Sequence, residues 1–264
     1  MSNRVLEVKN LSKNYKNIKA VSELSIIVQK EMIYGILGPN GSGKTTTLGM
    51  LLGVINANSG SFSWFENGTK DENRKRIGAL LETPNFYPYL SAEQNLEITA
   101  KIKKIENAHT EIERVLEMVD LYDRKSSKFN TFSLGMKQRL AIASALIGSP
   151  EVLVLDEPTN GLDPQGIAEI RDLIIEIGKK GKTIIIASHI LDEIEKICTH
   201  CAILKNGKLL RTGTINEIIG NQENTLIKIR ATDDNELEKI IEADSEISIY
   251  NKDAAQDYLI ISVS

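Results

Sequence analysis

Gly38-Pro39-Asn40-Gly41-Ser42-Gly43-Lys44-Thr45 decides how the rest of the chain is read. The stretch matches the phosphate-loop pattern at every position, and its flanks fit. Ile33 to Leu37 before it reads as a buried strand. Leu48, Leu51, Leu52 and Ile55 after it recur at helical spacing. Gly38, Gly41 and Gly43 let the backbone curl so that its N–H groups face a phosphate. Lys44 brings a positive charge to the β- and γ-phosphates, and the hydroxyl of Thr45 suits Mg2+. The helix start adds a favourable dipole. Gly38, Pro39, Asn40, Gly41, Ser42, Gly43, Lys44, Thr45 and Thr46 are therefore the expected nucleotide-binding set.

Upstream, Val5 to Val8 and Leu24 to Val28 read as strands. Downstream, Ser61 to Phe65 is strand-like and ends at Asn67-Gly68, and Ile77 to Leu81 is another apolar strand. The character then changes. Ser91 with Gln94 and Thr110 with Glu113 read as capping boxes. They open helical patterns over Leu96 to Ile105 and Ile112 to Leu121, and Met136 to Ile147 is a third helix. Residues 86–149 thus form a mostly helical insert. Strand–helix alternation resumes with Val152 to Leu155, the helical face Ile167, Ile170, Leu173, Ile174 and Ile177, the strand Thr183 to Ala187 and the helix Leu191 to Ile197. Asn206-Gly207 between Cys201–Leu204 and Lys208–Arg211 is a two-residue hairpin turn. Such alternation predicts a layered α/β core. After a break near Gly220 to Asn224, alternating Ile227 and Ile229, helically spaced Leu237 and Ile240, and the alternating Ile247/Ile249 and Leu259/Ile261/Val263 give a β-α-β-β pattern. The expected division is 1–220 and 221–264, the second part a short or truncated appendage.

Three further features carry chemistry. Val152-Leu153-Val154-Leu155-Asp156-Glu157 is a buried strand ending in two carboxylates, an unfavourable arrangement unless a cation compensates it. Asp156 suits Mg2+, and Glu157 can orient or deprotonate an attacking water. His189 ends the Thr183–Ser188 strand, where it could bond the γ-phosphate and the water; taken alone, it reads as structural. Ser133-Leu134-Gly135 opens a helix, which is either an ordinary N-cap or an anion site, and the residues alone leave both open. Tyr15 offers an aromatic face to a base, or is a half-buried loop residue.

Composition excludes other classes. A net charge of −4 argues against nucleic acid as a partner. No apolar leader is expected at Met1 to Lys9, which carries Arg4, Glu7 and Lys9. The longest uncharged stretch, Thr45 to Phe65, is broken by Asn56, Asn58 and Gly60, so no spanning helix is expected. A transport path would have to come from another polypeptide. Cys198 and Cys201 continue apolar runs and read as two buried thiols, there being no second cysteine pair for a zinc site.

Taken in order, phosphate loop, helical insert, Ser-x-Gly helix start, Asp-Glu strand and terminal His resemble the ABC ATPases over about residues 4–216. The resemblance implies a P-loop NTPase (RecA-like) α/β core with an antiparallel β subdomain and a helical insert. It implies ATP with Mg2+ at Thr45, Asp156 and Glu82, and catalysis by Lys44, Glu157 and His189. Tyr15 would stack on adenine. The chain would form a homodimer, or pair with another ATPase subunit, so that Ser133, Gly135 and Asp163 of one copy meet the ATP of the other. Integral membrane permease subunits would be the partners, at the cytoplasmic face of a bacterial membrane.

Two positions depart from the common family pattern. Leu134 and Met136 replace a Gly and a Gln, and Glu82 stands where Gln is usual. The resemblance implies that this position couples the site to the membrane subunit, and an ionised Glu82 only accepts hydrogen bonds where Gln both donates and accepts. Glu82 to Ser91, the Ser133–Leu140 segment and Thr159 to Arg171 together resemble the ATPases of lantibiotic-immunity and bacitracin-resistance exporters. Phe86, Tyr87 and Tyr89 are candidates for the surface touching the permease, or for packing within the insert. A soluble ABC ATPase acting on ribosomes or DNA is the competing class; its members usually carry two cassettes or long coiled-coil arms.

Overall fold

Two long strands, β1 (Arg4–Tyr15) and β2 (Ile18–Gln29), turn back on each other at Lys16, whose φ of 52° is left-handed. The structure, a computed structural model, describes residues 3–65, 70–81, 85–219, 225–229, 247–253 and 258–263. β3 (Ile33–Leu37) enters the phosphate loop, and α1 (Lys44–Leu51) leaves it. β4 (Ser59–Trp64), α2 (Lys70–Lys75) and β5 (Ile77–Leu80) follow. Next come α3 (Ala92–Ile102), α4 (Ala108–Met118) and α5 (Leu134–Leu146). The alternation resumes with β6 (Val152–Asp156), α6 (Pro164–Lys179), β7 (Thr183–Ser188) and α7 (Leu191–Ile197). The hairpin β8 (His200–Lys205) and β9 (Lys208–Thr214) turns at Asn206 and Gly207, both with positive φ.

Among the described residues, nine strands form one sheet in the order β4-β1-β2-β9-β8-β3-β7-β6-β5. Strands β8, β3, β7, β6 and β5 run parallel, whereas β4, β1 and β2 pair antiparallel. Every residue of β3, β6 and β7 is buried, which explains why those sequences are continuous apolar runs rather than alternating ones. The chain divides into two compact units, Met1–Thr214 and Ile215–Ser264. The second holds α8 (Ile215–Ile219) and an antiparallel sheet of β10 (Thr225–Ile229), β11 (Ile247–Asp253) and β12 (Tyr258–Val263), with β12 in the middle. The helical pattern expected around Leu237 and Ile240 lies outside the described residues.

In the insert, the capping box at Ser91 forms as read: Ser91 Oγ accepts from Gln94 N, and Gln94 Oε1 accepts from Ser91 N. The second expected box does not form. α4 begins at Ala108 after Asn107, so Thr110 lies inside the first turn. Glu113 turns instead to Lys125 and Tyr122, and Glu111 binds Arg114 and the Gly148 amide. Helix α5 lies so close to β5 that a Cβ at Gly78 would collide with the Ala145 carbonyl. Lys103 Nζ bonds Ile147 O at 2.8 Å near the C-terminus of α5, and burial lowers the pKa of its ammonium. Cys198 and Cys201 are both buried, and burial pushes both thiols up.

Arg76 joins the starts of β5 and β6. Its carbonyl accepts from Glu151 N and Val152 N, and its guanidinium grips both Glu151 carboxylate oxygens, at 2.6 and 2.8 Å, over the Phe65 ring. The Arg76 hydrogen bonds outweigh desolvation and hold the Glu151 carboxyl below its usual range. A carboxylate whose folded pKa is depressed stabilises the fold above its unfolded pKa, and that contribution fades as the pH falls through the folded value. Glu151→Gln is expected to lower stability by about 0.5–1 kcal/mol at pH 7, since the pair is partly exposed. Urea unfolding of both proteins at pH 7 and in acid below the folded value checks this; an equal difference at both would exclude the charge as its source.

Candidate active site

Three adjacent strand ends assemble the site. Leu37 of β3 lies opposite Ser188 of β7, and Asp156 of β6 lies opposite Ala187. The phosphate loop, the Asp156–Glu157 turn and His189 therefore leave the sheet side by side at its carboxyl edge, where open α/β sheets place their ligands. Backbone bonds tie the exits together: Gly38 N donates to Ser188 O at 3.3 Å and Glu157 N to Ala187 O at 2.9 Å.

Within the loop, a Cβ at Gly38 would strike Leu204 O and Ser42 Oγ, so the backbone there must be glycine. A Cβ at Gly41, at φ 79°, would meet nothing within 4 Å, which leaves that face of the loop open. Ser42 Oγ is buried with no hydrogen-bond partner among the described residues. Pro39, Asn40 and Thr45 are exposed, and Thr46 is half-buried. The donor set of Thr45 hydroxyl and Asp156 carboxylate is all oxygen, the chemistry a hard divalent cation takes. Asp156 is 3% exposed at the strand end.

Lys44, Glu157 and His189 meet. The buried Lys44 ammonium donates to Gly38 O at 2.8 Å and lies 3.2 Å from Glu157 Oε1. The other Glu157 oxygen, Oε2, is 2.8 Å from His189 Nδ1. Glu157 adopts a φ of 47°, left-handed for a residue with a Cβ, and such strain collects at functional positions. The carboxylate thus bridges the cation that would meet phosphate and the imidazole beyond it.

A second group forms on a separate cleft of about 540 Å³ between the starts of α5 and α6, lined by Ser133, Gly135, Gly161 and Asp163. Ser133 Oγ caps α5 by accepting from Met136 N, and Asp163 Oδ1 caps α6 by accepting from Gly166 N. Tyr15 is exposed at the end of β1, with Lys13 Nζ over its ring. Glu82 lies outside the described residues. Among the candidate docking aromatics, Phe86 packs edge-on against Phe129, whereas Tyr87 and Tyr89 are exposed and lie against each other at 5.9 Å. The buried Asn95 side chain holds the Tyr87 backbone through both its N–H and its carbonyl. Sequence reasoning missed Thr159, Ser188 and Glu193, which lie buried and hydrogen-bonded behind the Glu157–His189 pair.

The family profile described as ABC transporter matches residues 21–160. The chain is 49% identical over 210 residues to the bacitracin transport ATP-binding protein BcrA of Bacillus licheniformis, covering 78% of this chain and 68% of that one. It is 36% identical to the lantibiotic transport ATP-binding protein SrtF of Streptococcus pyogenes, over 78% of this chain and 89% of the relative. The solved cbiO1 of Clostridium perfringens, part of the ABC transporter complex cbiONQ, superposes with a TM-score of 0.76 at 29% identity, over 84% of this chain and 93% of that one. Lys44→Ala is expected to remove tight ATP binding, read by titration with a fluorescent ATP analogue. Undiminished affinity would refute the loop assignment.

Proposed function

The chain belongs to the ABC transporter ATP-binding family, and we propose that it powers a bacterial exporter conferring resistance to a peptide antibiotic of bacitracin or lantibiotic type. As an ABC ATPase it binds and hydrolyses ATP and works with membrane permease components. Among the described residues no helix is long and apolar enough to cross a membrane. The observation that carries the hydrolytic part is the Lys44–Glu157–His189 contact at three neighbouring strand ends. Similarity to BcrA and SrtF supports the peptide-antibiotic part.

In this reading the loop amides and the Lys44 ammonium hold the phosphates. As Lys44 turns to phosphate oxygens, Glu157 Oε1 becomes available to orient the attacking water and accept its proton, while Oε2 stays fixed by His189 Nδ1. Mg2+ at Thr45, Asp156 and Glu82 would neutralise charge on the terminal phosphates. Tyr15 would stack on the adenine. The helix starts at Ser133 and Asp163, with Gly135, would serve the ATP of a second copy in a homodimer at the cytoplasmic membrane face. Exposed Tyr87 and Tyr89 would meet the permease, with Phe86 as the packing residue beneath them.

Cells lacking this gene are expected to become hypersensitive to bacitracin or a lantibiotic and to unrelated drugs not at all. Wild type would restore resistance and Glu157→Gln would not, since losing a group that stabilises the transition state lowers turnover on the order of a hundredfold. An unchanged profile across the peptide panel would defeat the antibiotic assignment.

A further inference from the structure

Glu193 lies in the first turn of α7, outside every motif used above, yet it is only 5% exposed. Its Oε2 accepts from Thr159 Oγ1 at 2.7 Å and from Ser188 Oγ at 3.1 Å. Its Oε1 is buried with no hydrogen-bond partner among the described residues, and no ion pair compensates it there. A buried carboxyl so placed is unfavourable for the fold. What it holds accounts for the position.

We propose that Glu193 is a positioning residue that sets Glu157 against His189 for hydrolysis. Both residues it grips are neighbours of the reacting pair. Ser188 directly precedes His189, and Ser188 Oγ also accepts from Ile190 N at 3.1 Å, so His189 is bracketed on both sides. Thr159 lies two residues beyond Glu157, in the turn closed by Asn160 N donating to Glu157 O at 3.1 Å. Glu157 Oε2 and His189 Nδ1 then complete the ring: Glu157, Thr159, Glu193, Ser188, His189 and back to Glu157. Glu157 N already bonds Ala187 O of β7 at 2.9 Å, and Glu193 adds the side-chain link between the two loops. The strained backbone of Glu157 needs surroundings that over-determine it, and the Thr159 anchor supplies part of them. Through Leu162 N to Thr159 O, at 3.2 Å, the same carboxyl also supports the turn that leads to Asp163.

The inference rests on the reading of Glu157 and His189 as the hydrolytic pair. The test measures kcat and KM for ATP turnover by the full chain. Its variants are His189→Ala, Glu193→Ala, Glu193→Gln, Thr159→Val and the double variant Glu193→Ala/His189→Ala. A misplacement of catalytic groups by about 1 Å lowers rate up to a hundredfold. Glu193→Ala is therefore expected to lower kcat by about tenfold or more, with KM within about twofold. Glu193→Gln should recover most of the loss, because its amide oxygen accepts the same two hydroxyls. Thr159→Val, which keeps the shape and removes one donor, should lower kcat severalfold, and it carries the test if Glu193→Ala does not fold. In the His189→Ala background, Glu193→Ala should cost less than about threefold more, since the pair acts as a unit. Full kcat in Glu193→Ala, or the same fold-loss with and without His189, would overturn the proposal. Wild-type turnover in His189→Ala would overturn the site reading itself, and the positioning role with it.

Discussion

The register of three parallel strands is the constraint on which everything else depends. Leu37 opposite Ser188 and Asp156 opposite Ala187 fix where each loop leaves the sheet. A slip of one residue would move a strand end by about 3.3 Å, farther than any hydrogen bond in the site can stretch. Lys44 would then miss Glu157, and Glu157 would miss His189. That register is held by side chains buried on both faces of β3, β6 and β7. The apolar core and the polar site are therefore one device, and the core residues earn no separate functional explanation.

What the sequence makes legible is whatever local chemistry dictates. The strand and helix flanking Gly38–Gly43, the Ser91 box, the Ser133 cap, the Asn206-Gly207 turn and the strands ending in Asp156 and Ser188 are each contained within a few residues, and each forms as read. Helix α2 escapes notice because Lys70–Lys75 has no apolar residue to set a period. The Thr110 box fails because Glu113 finds Lys125, a partner beyond the helix, and no local rule registers that competition. Glu193 is invisible for the same reason. Beside Asp192 it reads as one of two acidic residues at a helix start, and only the neighbouring Thr159 and Ser188 distinguish it. The pairing of Phe86 with Phe129 likewise depends on a contact across the insert.

The insert is attached to the core by close packing and by charge. Helix α5 meets β5 at Gly78, where no larger residue fits, and Arg139 of α5 binds Glu169 of α6 at 2.6 Å and Asp120 at 3.0 Å. The helix that presents Ser133 and Gly135 is thereby tied both to the helix that begins after Asp163 and to the rest of the insert. Movement of that helix start would be transmitted to both, because interiors packed this tightly shift as blocks.

The left-handed backbone at Glu157 has a consequence for how this molecule can change over time. Relieving such strain with glycine generally stabilises a fold, by an amount on the order of 1 kcal/mol. Here the relief would discard the one carboxylate that bridges lysine and histidine. On the role proposed for Glu157, selection for heat resistance alone would favour a tougher, silent molecule, and only selection for turnover would keep the glutamate in place.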